Sequence, residues 1–427
     1  MVEGAGLLNQ GTPRSDGCVN TWEQQRVDRA PDAIGSREQD TGWHQAAREQ
    51  EREPTVPRSS TGGERTGARK KESSGEKVWR SEVLKMLAVG MGIGDVTGGG
   101  ENQVILVDPS TVYLYRLEGG TMSRVAEYSA GSLELKSVDV AKLRKQGPAR
   151  IYVSAQNRGT ISSFVLEYRN GALVPVVQNL PYFLRVIWYP SKGPILLGQR
   201  RGLNKIYEGP MFELADKGDD LEVRGRFGVP LKIPIFGFTI GDFEGKRQPL
   251  IAVYDREEHL RVYEPSGKRL YVSQDYYGGS DIVLRIQGSE ARTKRDQTGD
   301  EEGEREYLRP RIMALDLTGD GRSEVLAITH TSKTRRLLSR TKMLEEGQVV
   351  GLLWNGDALE ERWHSPKVAG MITDFSVDSL PGFPGKRLIT FERKKTDWLS
   401  LLRSESQVRV YDLGWILTQG PKGEKSD

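Results

Sequence analysis

From about Lys77 onward the chain alternates short apolar runs with clusters of Gly, Asp, Asn and Pro, a texture that predicts many short strands. Residues 311–330, RIMALDLTGDGRSEVLAITH, show the grammar best. Ile312, Met313, Ala314 and Leu315 read as one strand, residues 316–324 as an acidic, glycine-rich loop, and residues 325–328 as a second, buried strand. Gly319 and Gly321 permit the tight backbone such a loop needs.

The same grammar recurs. Aligning each unit on the loop after its first strand selects Asp95, Asp139, Tyr189, Asp242, Asp316 and Asp374, spaced by 44, 50, 53, 74 and 58 residues. The fourth unit reads PLIAVY, DREEH, LRVYE, PSGK, RLYVS: second strand, turn, third strand, turn, fourth strand. Pro234 would interrupt a central strand, so that unit's first strand should begin after it. Four strands per repeat of roughly 40–50 residues is what a β-propeller requires, because one twisted sheet cannot bury its faces alone. The fold class expected is therefore all-β: a six-bladed propeller of four-stranded antiparallel blades.

The sixth unit runs out after its third strand, while residues 76–81 precede the first unit with no unit of their own. KVWRSEVLKMLAVGMGIGDV matches LEERWHSPKVAGMITDFSVD at the junction of units five and six, pairing Trp79 with Trp363 and Ser81 with Ser365. Trp79 should then lie on the outer strand of the last blade, beside residues 407–413, closing the ring and removing a free sheet edge.

Composition narrows the rest. The 427 residues are 36% hydrophobic and 28% charged, which indicates a globular part diluted by an unfolded one. Residues 1–75 read as a disordered leader, 76–418 as the propeller and 419–427 as a disordered tail. Lys and Arg number 62 against 59 acids, a net charge of +3 and too balanced to mark a nucleic-acid binder. Cys18 is the only cysteine, which excludes disulfide frameworks and Cys-rich metal sites. No apolar run is long enough for a membrane helix, and the N-terminus has no basic-then-apolar export signal.

Two candidate sites emerge from the residues. In the 316–324 loop, Asp316, Thr318, Asp320 and Glu324 alternate so that their oxygens can converge on one cation; a solvated Asp-Gly turn is the alternative. The other candidate is a surface. Three long insertions, at about 287–309, 331–347 and 393–406, all belong to connections that emerge on one propeller face, and they should crowd there over the last two blades, opposite the acidic loop. Two of them combine Arg335, Arg336, Lys394 and Lys395 with Leu337, Leu338, Trp398, Leu399, Leu401 and Leu402, which are costly to expose unless they pack together or meet a partner. His44, His259, His330 and His364 form no HExxH motif, and GxSxG and Walker A patterns are missing, so no catalytic residue is assigned. Tyr113, Tyr115, Tyr254, Tyr263, Trp354, Trp363 and Tyr411 fall at strand positions and should pack between blades.

The units at Asp95, Asp242 and Asp316, with GDVTGGGENQVILV, FGFTIGDFEGKRQPLIAVY and ALDLTGDGRSEVLAI, resemble the FG-GAP/VCBS repeats of integrin-like propellers of bacterial type. The resemblance implies calcium held by Asp316, Thr318, Asp320, the Arg322 carbonyl and Glu324. It makes seven blades the alternative count and implies an extracytoplasmic, cell-envelope setting. The function expected is non-catalytic binding of a protein or glycan partner. An enzyme with its site in the central channel, of hydrolase or lyase type, and a structural subunit of an envelope assembly are the alternatives.

Overall fold

Strands here are set by alternation and by where it stops. The computed structural model describes residues 77–202, 206–207, 209–229, 233–285, 305–331, 344–394, 404–418 and 420. The leader and most of the tail lie outside them. After β1 (Val78–Arg80) the first sheet comprises β2 (Gly90–Gly94), β3 (Gln103–Val107), β4 (Thr111–Glu118) and β5 (Thr121–Ser129). The second comprises β6 (Glu134–Ala141), β7 (Arg150–Asn157) with the short β8 (Thr160–Ile161) beside it, β9 (Ser163–Arg169) and β10 (Ala172–Leu180). The third is β11 (Phe183–Tyr189), β12 (Gly193–Gln199), β13 (Met211–Asp216) and β14 (Leu221–Arg226). The fourth is β15 (Phe238–Gly241), β16 (Leu250–Tyr254), β17 (His259–Tyr263) and β18 (Arg269–Tyr276), so its first strand does begin after Pro234.

A two-stranded hairpin intervenes, β19 (Val283–Arg285) and β20 (Arg305–Tyr307). The fifth sheet is β21 (Met313–Leu315), β22 (Glu324–Thr331), β23 (Glu346–Trp354) and β24 (Leu359–His364). The sixth is β25 (Val368–Ser379), β26 (Lys386–Lys394) and β27 (Ser406–Asp412), and a one-turn helix α1 (Leu413–Leu417), capped by Asp412, ends the chain's described fold. All pairings are antiparallel; neighbours follow sequence order except that β7 pairs β9 beside the short β8, β1 pairs β27, and β23 pairs β25 as well as β24, which joins the fifth and sixth sheets.

The sixth sheet takes its fourth strand from the start of the chain. Val78 pairs with Tyr411, Trp79 with Val410 and Arg80 with Arg409. The sequence match at the serines has a physical counterpart. Ser81 N donates to Val408 O at 2.9 Å and Ser81 Oγ accepts from Val408 N at 3.0 Å; Ser365 N donates to Val349 O at 2.8 Å and its Oγ accepts from Val349 N at 3.0 Å. Two serines ending two outer strands thus clasp their neighbours identically.

Burial falls across each sheet. In the first, β2 and β3 are almost wholly buried, β4 alternates and β5 is mostly open, which orders the strands from inner to outer edge. First strands neighbour one another over most of the sheets: β2 contacts β6, β6 contacts β11, β11 contacts β15, β15 contacts β21, and β25 contacts β2. The fifth sheet instead meets the sixth through its third strand, β23, which pairs with β25, Glu346 with Ala369 and Gly347 with Val368. Apolar layers fill the junctions. Tyr152, Leu184 and Leu214 lie between sheets two and three, Phe243, Ala314 and Trp354 between four and five, Leu326, Trp363 and Phe375 between five and six, and Trp79, Met91 and Ile389 between six and one. The aromatic strand positions singled out above pack in these layers; Tyr254, Trp354, Trp363 and Tyr411 are buried. The first junction is close enough to demand glycine, since a Cβ on Gly92 or Gly94 would meet Val140 methyls at 2.6 and 2.5 Å.

Candidate functional site

Polar residues at inner positions of these apolar strands have few ways to be satisfied, and here they satisfy one another. Arg311, two residues ahead of β21, points to where first strands meet. Its guanidinium donates to Asp139 Oδ1 at 2.7 Å, to Asp374 Oδ1 and Oδ2 at 2.6 and 3.0 Å, and to the carbonyls of Met91 and Val138 at 3.1 and 3.0 Å. Arg185 of β11 approaches Asp139 at 3.2 Å. Asp139 also accepts from Val186 N at 2.9 Å, and Asp374 from Met91 N at 2.9 Å. Five of the six sheets therefore meet in one four-charge knot, all of it buried or nearly so.

Charge balance governs the knot. Burial works against the Arg311 charge, but Asp374 and Asp139 outweigh it and push its pKa up. For Arg185, burial and then the neighbouring Arg311 pull the pKa down, and its Nε is buried without a partner. Each carboxylate is committed to guanidinium and backbone N–H donors, which suits cross-linking rather than proton transfer.

The hairpin β19–β20 packs against the second sheet. Gln156 of β7 donates to Arg285 O at 2.8 Å and accepts from Arg285 N at 3.2 Å, while Lys136 Nζ donates to Val283 O at 2.9 Å. Ile282, Leu284 and Leu308 join the core of the first four sheets. At the hairpin's base Asp281 pairs with Arg393 of β26, and Gly278 O meets His330 Nδ1 at 2.7 Å, whose Nε2 accepts from Ile372 N at 3.1 Å. The anchors of all three insertions are thus linked on one side. Most of the first insertion, expected at about 287–309, lies outside the described residues; the strand just before it, β19, bonds to the second sheet through Gln156 and Lys136.

Of the residues proposed for a partner surface, Arg335, Arg336, Leu337, Leu338, Lys395, Trp398, Leu399, Leu401 and Leu402 lie outside the described residues. Lys394 ends β26, half-exposed, with Nζ 3.5 Å from Glu405. Beside the hairpin a cleft of about 380 Å³ is lined by Tyr254, Glu258, Tyr277, Ser280, Glu306 and Arg309, among others. Glu306 within it lies 3.2 Å from Arg309 and 3.6 Å from Arg256. Sequence reasoning missed both knot and cleft, since their members come from separate units.

On the acidic loop, Asp316 accepts from Gly319 N at 2.6 Å and Gly321 N at 2.9 Å, Asp320 from Arg322 N at 2.9 Å, and Glu324 from Leu317 N at 2.9 Å. The Arg322 guanidinium turns away to the carbonyls of Trp354 and Phe243. The first sheet's loop repeats the design: Asp95 accepts from Gly98, Gly99 and Gly100, and the neutral Gln103 stands where Glu324 does, accepting from Val96 N and Thr97 N. Burial, then Asp316 and Asp320, push the Glu324 pKa up. Among the described residues no group of three or more His, Cys, Asp or Glu side chains is placed to hold a metal ion. As placed, Asp316, Asp320 and Glu324 accept from their own loop's N–H groups.

No family model matches this chain, and no curated protein does. Among solved structures it is similar to BBS1N from the complex with ARL6DN, at 12% identity and a TM-score of 0.41, over 79% of this chain and 97% of that one. It is also similar to a provisionally assigned oxidoreductase (glucose dehydrogenase) of Thermus thermophilus, at 12% identity and 0.41, over 79% and 100%. A chain of the mitotic checkpoint complex matches at 11% and 0.40, over 86% and 99%. Likeness at these levels carries no argument about function.

Proposed function

We propose that the chain is a six-bladed β-propeller, its last blade completed by β1, that works as a non-catalytic protein-interaction scaffold. A closed ring is supported by first-strand contacts from sheet one to sheet five and between sheets six and one, by the β23–β25 pairing, and by the β1–β27 pairing. The observation that carries the functional reading is the Arg311 knot. It fills the meeting point of the blades with charges already paired to one another, so recognition falls to the connections around the rim. The insertion side is the working surface: there His330 and Arg393 tie together the bases of segments that carry the basic and apolar residues named above. The Asp316 loop, on this reading, is a self-capped turn that fixes a strand pair.

The test is capture of a protein partner. The full chain and a variant with residues 396–403 replaced by a short Gly-Ser turn are compared in pull-downs from cells of the source. Loss of capture with an unchanged β circular-dichroism spectrum supports the reading, and retained capture refutes it.

A further inference from the structure

We propose that the cleft between the second and third sheets binds an oxyanion, the phosphoryl group of a phosphate monoester or inorganic phosphate itself. The cleft has a volume of about 330 Å³ and is lined by Arg144, Arg150, Arg169, Pro175, Val176, Gly218 and Asp219. It lies where the β6–β7, β9–β10 and β13–β14 connections converge, the side that also carries the Asp95 and Asp316 loops.

The argument is an excess of donors over acceptors. Arg150, with 2% of its side chain exposed, donates from Nε to Glu167 Oε1 at 2.5 Å and from Nη1 to Asp216 Oδ1 at 2.6 Å and Gly218 O at 2.5 Å. Arg144 Nη2 reaches Glu167 Oε1 at 2.6 Å, and Arg169 Nε and Nη2 reach Glu167 Oε2, both at 2.6 Å. Tyr152 OH takes the other Asp216 oxygen at 2.6 Å. Three guanidinium groups therefore share two carboxylates, and Glu167 accepts from all three of them. Burial opposes the Glu167 charge, but Arg150, Arg169 and Arg144 overcome it and hold its carboxyl below the usual range.

What remains unanswered is on the arginines. Arg144 Nε is buried with no hydrogen-bond partner, although a buried donor left unpaired is costly. Lys142 and Lys145 flank it in the same connection, both exposed. Asp219 is the one carboxylate lining the cleft; it sits exposed at the rim, where water and salt screen it. Forked guanidinium donors held in place by buried acids match a tetrahedral oxyanion better than a point charge does. Arg150 supplies the fixed floor, and Arg144 and Arg169 supply the arms.

Isothermal titration of the full chain with inorganic phosphate, and separately with O-phosphoserine, tests the site. Saturable one-to-one binding is expected. Arg144→Gln should weaken it by about tenfold or more and Arg169→Gln by less, while Asp219→Asn should strengthen it. Tighter binding of phosphoserine assigns a monoester, and equal binding assigns the free ion. Arg150 is left intact, because removing it strands two buried acids, and thermal unfolding of each variant reports whether it is folded. Absence of binding up to about 10 mM of either probe, or binding unchanged in the folded Arg144→Gln variant, overturns the proposal.

Discussion

Replacing Arg311 by Met keeps most of its volume and removes its charge at the one point where five sheets meet. The wild-type side chain makes two hydrogen bonds to Asp374, one to Asp139 and two to backbone carbonyls, with only 11% of it exposed. Without it Asp139 keeps Arg185 and Val186 N, but Asp374 keeps only backbone donors. Breaking a buried pair from one side costs about 3–5 kcal/mol, because the stranded carboxylate stays out of water. For a domain of this size, that loss lowers Tm by roughly 4–7 °C. Urea denaturation and scanning calorimetry read both quantities. Adding Asp374→Asn should recover part of the loss, with a coupling of about 1–3 kcal/mol between the two positions. Arg311→Lys, which keeps the charge but cannot span five acceptors, should fall between wild type and Met. A loss below about 1 kcal/mol, or strictly additive single and double variants, would refute the idea that the knot ties the sheets together.

Glu324 has a raised pKa, so the folded protein loses stability as pH rises through it; Glu324→Gln should therefore be more stable by under about 1 kcal/mol at neutral pH. That advantage should vanish as pH falls into the carboxylate range, and urea midpoints between mildly acid and neutral pH check it. Calcium at millimolar concentration should leave the wild-type Tm unchanged if the loop caps itself, whereas a rise that follows calcium concentration would return a cation to Asp316, Thr318, Asp320, the Arg322 carbonyl and Glu324. Trp79→Ala removes an indole that meets Phe383 edge-on at 5.9 Å and donates to Gly120 O at 2.9 Å, and should cost about 3–5 kcal/mol with faster amide exchange in β27; an unchanged exchange pattern there would mean β1 does not hold that sheet.

Local chemistry made much of this fold readable from the chain. Strand, turn and glycine signals act over a few residues, so four-strand units could be counted, Pro234 could exclude a strand start, and Gly319 and Gly321 do hold positive φ angles of +77° and +84°. Even the pairing of β1 with β27 was legible, because Trp79 and Ser81 repeat Trp363 and Ser365, and a repeated sequence makes repeated hydrogen bonds. The charged sites were not legible in this way. Arg311 is 172 residues from Asp139 and 63 from Asp374, and nothing in the neighbours of any of them marks the partner. Arg150 and Asp216 meet from different sheets, as do Gln156 and the hairpin strand at Arg285. An ion pair forms wherever packing brings opposite charges within reach in a dry place, and packing decides that only when the sheets come together. In the loop that resembled a metal site, Asp316 accepts from the N–H groups of Gly319 and Gly321, and the spacing of the acids along the sequence does not by itself fix where their oxygens point.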